Sequence, residues 1–350
     1  METAARSLRM IDTLSRIWQQ VLRRPTIGVE DNFFEIGGDP ALAGELFNEI
    51  ARVCDREFSP AIICQAPTIA ALAVLLEQPT WPRLSPLVLL KAGTETPPIF
   101  FAHGIGGNIM EFFQLARRVQ SPRPMYGMQA RGMDGRDEPI ETIEAMAEFY
   151  LDHIREIQTH GPYFLIGFSL GGLLMLEVAQ RLSEHGEKVG LLALLDSYPH
   201  RRYLSPGQRM RLMAHLAKRR ASNVMQLPTR EKLSDILHRR QAFRDHPDDA
   251  RSRHSTNVSF AEAAELVRVK TELAWTRYRP RPYHGTIKFV RAEVLSYFPK
   301  DPVAVWAHLV ARLEVETVPG DHGAMITTHS ASLAAVLTRY LHEAFADPRF

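Results

Sequence analysis

Tyr163-Phe164-Leu165-Ile166-Gly167-Phe168-Ser169-Leu170-Gly171-Gly172 contains a strand signal, a glycine-flanked serine and the start of a helix. The apolar run Tyr163–Ile166 predicts a short buried strand, and Leu173–Leu182 predicts a helix. Between them, Gly167–Gly171 fits the pattern G-x-S-x-G, in which a serine sits on a sharp turn with its hydroxyl exposed. The glycines allow the close backbone approach that such a turn requires. Ser169 is therefore the candidate nucleophile.

Strand signals alternate with helix signals on both sides of this serine. Thr142–Gln158 predicts an amphipathic helix, which Gly161-Pro162 ends. Strands that alternate with helices indicate an α/β fold with a largely parallel sheet and right-handed crossovers. Residues 200–280 interrupt this alternation with basic, helix-like segments, so we expect an insertion there. The remaining predicted strands are Leu87–Leu90, Ile99–Ala102, Leu191–Leu195, Thr286–Arg291 and Glu314–Val318.

A serine hydroxyl is a weak nucleophile and needs a general base, which a carboxylate in turn orients. On a strand–turn–helix scaffold of this kind the chain order is nucleophile, acid, histidine. Asp196 directly follows five apolar residues of a predicted strand, where an isolated carboxylate is costly unless it has a partner. It is the candidate acid, and Asp321 and Asp301 are the alternatives.

The candidate base is His322, in the turn Pro319-Gly320-Asp321-His322-Gly323. This turn follows the predicted strand Val315–Val318, so the histidine meets both the expected order and the expected context. His329 is the alternative, but it lies in a predicted helix. Three other histidines precede or interrupt the expected order, namely His103, His160 and His284.

An oxyanion hole requires two backbone N–H groups near the nucleophile. Leu170, directly after Ser169, supplies the first candidate, and the loop after an early strand should supply the second. Phe100-Phe101-Ala102-His103-Gly104-Ile105-Gly106-Gly107 is such a strand and glycine-rich loop. Ile105 is the candidate second donor, with Gly104 and Gly106 as alternatives.

Other chemical motifs are missing from the sequence. The loop after Phe101 is no dinucleotide fingerprint, because Ile109 stands where the third glycine belongs. We find no phosphate-binding P-loop and no His/Cys cluster with zinc spacing. The sequence therefore predicts no metal site.

A proline-rich stretch divides the chain. Pro79, Pro82 and Pro86 stand close together, and proline both breaks helices and stiffens linkers. Before them, Leu8, Ile11, Leu14 and their successors recur at helical spacing. We expect a small all-helical domain over residues 1–79, a linker over 80–85 and a second domain over 86–350.

Composition excludes several classes of protein. Apolar residues make up 45% and charged residues 23% of the 350, which is typical of a globular chain. No apolar run is long enough for a transmembrane helix, and the first ten residues carry no secretory signal. The two cysteines, Cys54 and Cys64, make no disulfide framework. We expect a cytoplasmic protein that binds neither a membrane nor, at a net charge of +2, nucleic acid.

Charge is spread unevenly along the chain. Residues 1–79 hold 7 Lys and Arg against 11 Asp and Glu, and residues 200–284 hold 19 against 8. The second segment has a net charge of +11, which indicates either a surface for an acidic partner or a solvated helical face.

Several motifs together resemble the thioesterase domains that end non-ribosomal peptide synthetases. They are Gln129-Ala130-Arg131-Gly132, Gly161-Pro162-Tyr163, Gly167–Gly172, Leu194-Leu195-Asp196 and Val318-Pro319-Gly320-Asp321-His322. The resemblance covers roughly residues 84–350 and implies a type I thioesterase of the α/β-hydrolase superfamily, with a helical lid at about 200–275. It also implies the triad Ser169, Asp196 and His322, and acyl transfer from a phosphopantetheine thioester to Ser169. Gly104 departs from the pattern, since the family often has proline after this histidine.

Residues 7–78 resemble a peptidyl carrier domain. Asp31-Asn32-Phe33-Phe34-Glu35-Ile36-Gly37-Gly38-Asp39 matches the family signature, which implies a serine carrying phosphopantetheine at the next position. Pro40 stands there instead, and it has no hydroxyl to form the phosphodiester. Asp39 can still cap a helix that starts with proline. The resemblance therefore implies a carrier-like domain without an attachment residue, and a thioester delivered on the phosphopantetheine of another carrier.

Together with the candidate triad, the resemblance implies a serine thioesterase that releases an acyl or peptidyl chain through an acyl-Ser169 intermediate, in non-ribosomal peptide or polyketide biosynthesis. The expected partner is an acyl or peptidyl carrier protein or a synthetase module. The same triad also fits an acyltransferase, a cyclase or an editing thioesterase. The missing attachment serine leaves a non-catalytic interaction protein as a further alternative.

Overall fold

The computed structural model describes residues 2–54, 58–78, 84–214, 260–294, 298–299 and 301–348. Its first part is a helical unit that confirms the predicted all-helical domain before the prolines. The elements are α1 (Glu2–Leu22), α2 (Pro40–Cys54), a 3-10 turn (Pro60–Cys64) and α3 (Ile69–Leu76). Their buried apolar side chains include Leu14, Trp18, Leu46, Ile63 and Leu72.

Side-chain caps start two of these helices. Asp39 accepts a hydrogen bond from the N–H of Leu42 at 2.8 Å, and Pro40 is the first residue of α2. Thr68 accepts one from the N–H of Ala71 at 3.1 Å and so caps α3. Since proline is favoured at the first helical position, a proline at residue 40 is compatible with the helix.

In the described residues, the second part of the chain is built on one sheet of seven strands. They are β1 (Leu87–Lys91), β2 (Ile99–Ala102), β3 (Met125–Met128), β4 (Tyr163–Phe168), β5 (Val189–Leu195), β6 (Tyr283–Ala292) and β7 (Val310–Val318). Their spatial order is β1-β3-β2-β4-β5-β6-β7. Of the pairs among these described strands, β1–β3 is antiparallel and the rest are parallel, which confirms the predicted, largely parallel sheet.

Helices cover both faces of the sheet, as an α/β-hydrolase fold requires. Along β4, Tyr163 and Leu165 face one apolar cluster, and Phe164 and Ile166 face the other, because successive strand residues point to opposite sides. Within the described ranges, no helix has the length and apolar character needed to cross a bilayer. The helices are α4 (Phe112–Arg118), α5 (Ile143–Ile157), α6 (Leu170–Glu184), α7 (Phe260–Arg277), α8 (Pro302–Trp306) and α9 (Ser330–Phe345).

Part of the predicted lid lies within the described residues. It comprises the 3-10 turn Arg201–Tyr203, a helical segment over residues 206–214, and α7. The indole N–H of Trp275 on α7 donates to the carbonyl of Tyr198 at 3.1 Å, and this bond ties the helix to the loop after β5. The middle of the predicted lid, residues 215–259, lies outside the described residues.

Candidate active site

Ser169 occupies a strained turn between β4 and α6. Its backbone has φ +54° and ψ −120°, a combination that costs free energy for any residue with a side chain. The N–H of Ser169 donates to the carbonyl of Leu195 at 2.8 Å, so the end of β5 holds the turn. The first turn of α6 has no space for a side chain at Gly171, because an added Cβ would lie 2.4 Å from the carbonyl oxygens of Ala102 and His103. The glycine pattern in the sequence reflects this contact.

The three side chains expected to form a triad come together at the carboxyl edge of the sheet. The Nε2 of His322 lies 3.0 Å from the Oγ of Ser169, and its Nδ1 lies 2.8 Å from Oδ2 of Asp196. A carboxylate only accepts, so the Nδ1 carries the proton and the Nε2 is free to accept the serine proton. This is the arrangement in which a hydroxyl can be activated for attack.

Backbone contacts hold the carboxylate of Asp196 in place. The residue follows β5 directly, and its own N–H donates to the carbonyl of Val290 at 2.7 Å. Its second oxygen accepts from the N–H of Ala292 at 3.4 Å. Asp196 is buried, and the N–H of Ala292 together with the Nδ1 of His322 supplies the partners that a buried carboxylate needs.

Aromatic rings surround the imidazole of His322. Phe168 stacks on it at a centroid distance of 4.6 Å and an interplanar angle of 24°, and Phe298 meets it edge-on at 5.1 Å. Tyr198 in turn stacks on Phe298 at 4.9 Å. Rings on both sides restrict the imidazole to the plane in which it reaches the serine and the aspartate.

The glycine-rich loop after β2 passes beside the nucleophile. A Cβ at Gly104 would lie 3.6 Å from the Cβ of Ser169. The carbonyl oxygen of Gly104 accepts two hydrogen bonds, from the Nδ1 of His103 at 2.6 Å and from the N–H of Gly107 at 3.2 Å. On the other side of the serine, Leu170 is the first residue of α6. The loop and the helix start therefore flank Ser169, where the two oxyanion donors were expected.

His103 makes a buried hydrogen bond that the sequence did not predict. Its Nε2 lies 2.6 Å from the hydroxyl of Tyr150, and both side chains are buried. A carbonyl can only accept, so Nδ1 carries the proton and Nε2 accepts from Tyr150. Burial lowers the pKa of His103 to about 4, which keeps the ring neutral near pH 7. No feature of the sequence indicates this partner, because Tyr150 lies among apolar residues on the buried face of α5.

The alternative residues make other contacts. Asp321 accepts from the N–H groups of Gly323 and Ala324, and Asp301 caps α8. His329 stands at the start of α9, His160 contacts Glu187, and His284 is exposed. In the part of the chain that the structure describes, no group of three or more His, Cys, Asp or Glu side chains could hold a metal ion.

Comparisons with known proteins identify the family of this chain. Residues 97–341 match the sequence model of the thioesterase domain, and residues 12–76 match that of the phosphopantetheine attachment site. A dimodular nonribosomal peptide synthase of Bacillus subtilis is 37% identical over 190 residues, 54% of this chain and 8% of that protein. An indigoidine synthase of Dickeya dadantii is 38% identical over 179 residues, 51% of this chain and 12% of that protein.

Solved structures share the fold at low sequence identity. A holo four-domain nonribosomal peptide synthetase aligns with a TM-score of 0.58 at 22% identity, over 97% of this chain and 26% of that one. The type II thioesterase BorB of the borrelidin cluster aligns at 0.51 and 18% identity, over 73% of this chain and 97% of that one. This chain thus spans only a small part of the synthetases that it matches. It belongs to the thioesterase-domain family, with a domain of the phosphopantetheine-attachment family in front of it.

Proposed function

We propose that this chain is a serine thioesterase that releases an acyl or peptidyl chain from a thioester in non-ribosomal peptide or polyketide biosynthesis. The observation that carries the proposal is the pair of contacts that joins Ser169, His322 and Asp196 at 3.0 and 2.8 Å. The site residues in their roles are Ser169 as nucleophile, His322 as general base and acid, and Asp196 as the group that orients the imidazole.

The reaction takes place in two steps. The Oγ of Ser169 attacks the thioester carbonyl carbon while its proton passes to the Nε2 of His322. When the tetrahedral intermediate collapses, the C–S bond breaks, the thiol takes that proton, and an ester remains on Ser169. His322 then deprotonates a water, which attacks the ester, and the proton returns to the serine as the acid leaves.

The N–H groups of Ile105 and Leu170 bind the oxyanion in this proposal. In a trans peptide the C=O of one residue and the N–H of the next point in opposite directions. His103 holds the carbonyl of Gly104 on its own side, and the N–H of Ile105 therefore points away from His103. The closeness of Gly104 to Ser169 supports Ile105 as the donor, and the helix start at Leu170 supports the second.

The phosphopantetheine group does not fit the carrier-like domain of this chain. The group is attached through a hydroxyl oxygen, and Pro40 at the start of α2 has none. No other residue of α2 is a serine or threonine. We therefore infer that the acyl donor is a separate carrier or synthetase module, and that the protein acts in the cytoplasm, a reducing compartment in which Cys54 and Cys64 form no disulfide.

Loading of the carrier-like domain can be tested directly. We expect no mass gain when the chain is incubated with a phosphopantetheinyl transferase and coenzyme A, and a gain on residue 40 in the variant Pro40→Ser. A phosphopantetheine group found on the unaltered domain would contradict the inference that substrate comes from elsewhere.

The activity itself is tested by mass spectrometry of Ser169 after exposure to a panel of soluble acyl thioesters. We expect an acyl-Ser169 ester that decays to free acid. Esters or amides formed when alcohols or amines are added would indicate an acyltransferase, and a ring product would indicate a cyclase. A chain that takes up neither acyl groups nor a fluorophosphonate label would be a non-catalytic interaction protein.

A further inference from the structure

A stacked aromatic pair joins the carrier-like domain to the thioesterase domain. Phe34, in the signature loop before α2, stacks on Phe113 of α4 with ring centroids 3.7 Å apart and an interplanar angle of 5°. The Phe34 side chain is only 1% exposed. A ring that is fully buried at the boundary between two domains is the kind of contact that dominates the stability of an interface.

Polar contacts fix the same loop in a defined orientation. The carbonyl oxygen of Phe34 accepts from the side-chain amide of Gln114 at 2.9 Å and from the guanidinium of Arg117 at 3.2 Å. Away from this loop, the hydroxyl of Ser59 donates to the carbonyl of Met133 at 3.3 Å. Three hydrogen bonds and a buried ring together specify one docked position.

The helix that receives the carrier-like domain also borders the candidate active site. Phe112, next to Phe113 on α4, meets Phe168 edge-on at 6.3 Å, and Phe168 stacks on His322. Burial raises the pKa of Glu111, the residue before the helix, and the same imidazole acts in the opposite direction. Because α4 is a short rigid element of seven residues, a shift at Phe113 moves Phe112 as well.

A carrier that delivers substrate must leave its docking site in every cycle, and it must carry the substrate. The absence of a hydroxyl at Pro40 removes the second task, and the buried Phe34 opposes the first. We propose that the carrier-like domain is a fixed positioning element, in which Phe34 seated on Phe113 holds α4 and, through Phe168, the imidazole of His322. The catalytic part of this inference rests on the proposed function.

The inference is tested on the full-length chain with Phe34→Ala, Phe113→Ala and the double variant. The rotational correlation times of the two domains, from ¹⁵N relaxation, report docking without reference to activity. We expect the unaltered chain to tumble as one body and each single variant to shift the docked-to-undocked ratio by about tenfold or more toward the undocked form. Since a 1 Å misplacement at an active site can cost up to about 100-fold, we expect the rate of acyl-Ser169 hydrolysis to fall by about tenfold, with KM nearly unchanged.

The double variant and one control separate positioning from general damage. If the two rings act only through each other, the double variant is no slower than either single variant. Phe345→Ala removes another aromatic contact, with Phe164 inside the thioesterase domain, and should lower stability while docking and the hydrolysis rate stay the same.

Two results would overturn the inference. One is independent tumbling of the domains in the unaltered chain, and the other is an unchanged hydrolysis rate once Phe34→Ala has released the carrier-like domain. Neither result affects acylation of Ser169 in the unaltered chain, whereas failure of that acylation would contradict the proposed function.

Discussion

The carbonyl oxygen of Gly104 is bound by the ring of His103, its immediate neighbour, at 2.6 Å. The hydroxyl of Tyr150 binds the other ring nitrogen at the same distance. This chain of contacts fixes the rotation of the peptide that joins Gly104 to Ile105, although neither side chain reaches the nucleophile. Loss of these two hydrogen bonds should therefore weaken binding of the transition state and leave binding of the substrate unchanged.

Tyr150→Phe should lower kcat by about tenfold and leave KM nearly unchanged, since a weakened oxyanion donor costs about 1–3 kcal/mol of transition-state stabilisation. Steady-state hydrolysis of a soluble thioester measures this, and the affinity for a boronic acid that forms a tetrahedral adduct should fall by the same factor. Tyr163→Phe is the matched control, because it also removes a phenol hydrogen bond, to the carbonyl of Gln158. An equal loss of kcat in both variants would contradict a role in the oxyanion hole.

The stability of the fold should depend on pH through His103. Its pKa is about 4 in the folded chain against an ordinary value of 6.5. Between these two pH values the unfolded chain binds a proton that the folded chain does not. The neutral His103 therefore contributes up to about 3 kcal/mol to the free energy of unfolding above pH 6.5, and this contribution is lost by pH 4. Urea unfolding of the protein and of His103→Gln at several pH values measures it. We expect the difference in unfolding free energy between them to shrink as pH falls, and a constant difference would be evidence against this linkage.

Asp196→Asn should reduce thioester hydrolysis by about 10⁴-fold, because an amide favours the wrong tautomer of His322. Ser169→Ala should reduce it by about 10⁴–10⁶-fold with the fold intact. Single-turnover kinetics measure the loss of rate in each variant, and circular dichroism checks that each variant is folded. Asp321→Asn is the control, since that carboxylate accepts hydrogen bonds from backbone N–H groups of its own turn. Hydrolysis at the normal rate in Ser169→Ala would rule out the assigned nucleophile.

Gly171→Ala should disable the site by moving α6 away from β2. The added Cβ would stand 2.4 Å from two backbone carbonyl oxygens, which cannot give way as a flexible side chain can. We expect a loss of about 1–3 kcal/mol in unfolding free energy and of more than about 100-fold in kcat. Gly44→Ala on α2 meets open space and should be neutral or stabilising. Thermal unfolding and the hydrolysis assay compare the two, and normal activity in Gly171→Ala would show that the turn tolerates a side chain.

Much of the sheet could be predicted, because its central strands are continuous apolar runs. Tyr163–Ile166 and Leu191–Leu195 were predicted as strands, and both lie within longer ones, Tyr163–Phe168 and Val189–Leu195. Buried parallel strands produce this signal since both of their faces are covered. By contrast, β3 was not predicted, because Met125-Tyr126-Gly127-Met128 is short and includes a glycine and two methionines.

The candidate site was predictable where chain order and local turns specify it. The residues expected as nucleophile, acid and base each follow a strand, and parallel strands bring such positions to one edge. His103 also follows a strand, but its hydrogen bond to Tyr150 depends on packing of the loop after β2 against α5, which no spacing in the sequence encodes. The stacking of Phe34 on Phe113 could not be predicted for the same reason. The two rings are far apart in sequence and meet only in the folded chain.

The proline at the start of α2 bears on how the proposed enzyme meets its substrate. A tethered acyl group reaches a neighbouring site at an effective concentration of about millimolar, whatever the dilution. If the donor is a separate carrier, as proposed, encounter is instead a bimolecular event whose rate depends on the concentration of loaded donor. The turnover rate should then rise and saturate as donor is added, other acceptors should compete for the same donor, and the supply of loaded donor sets the pace of product release.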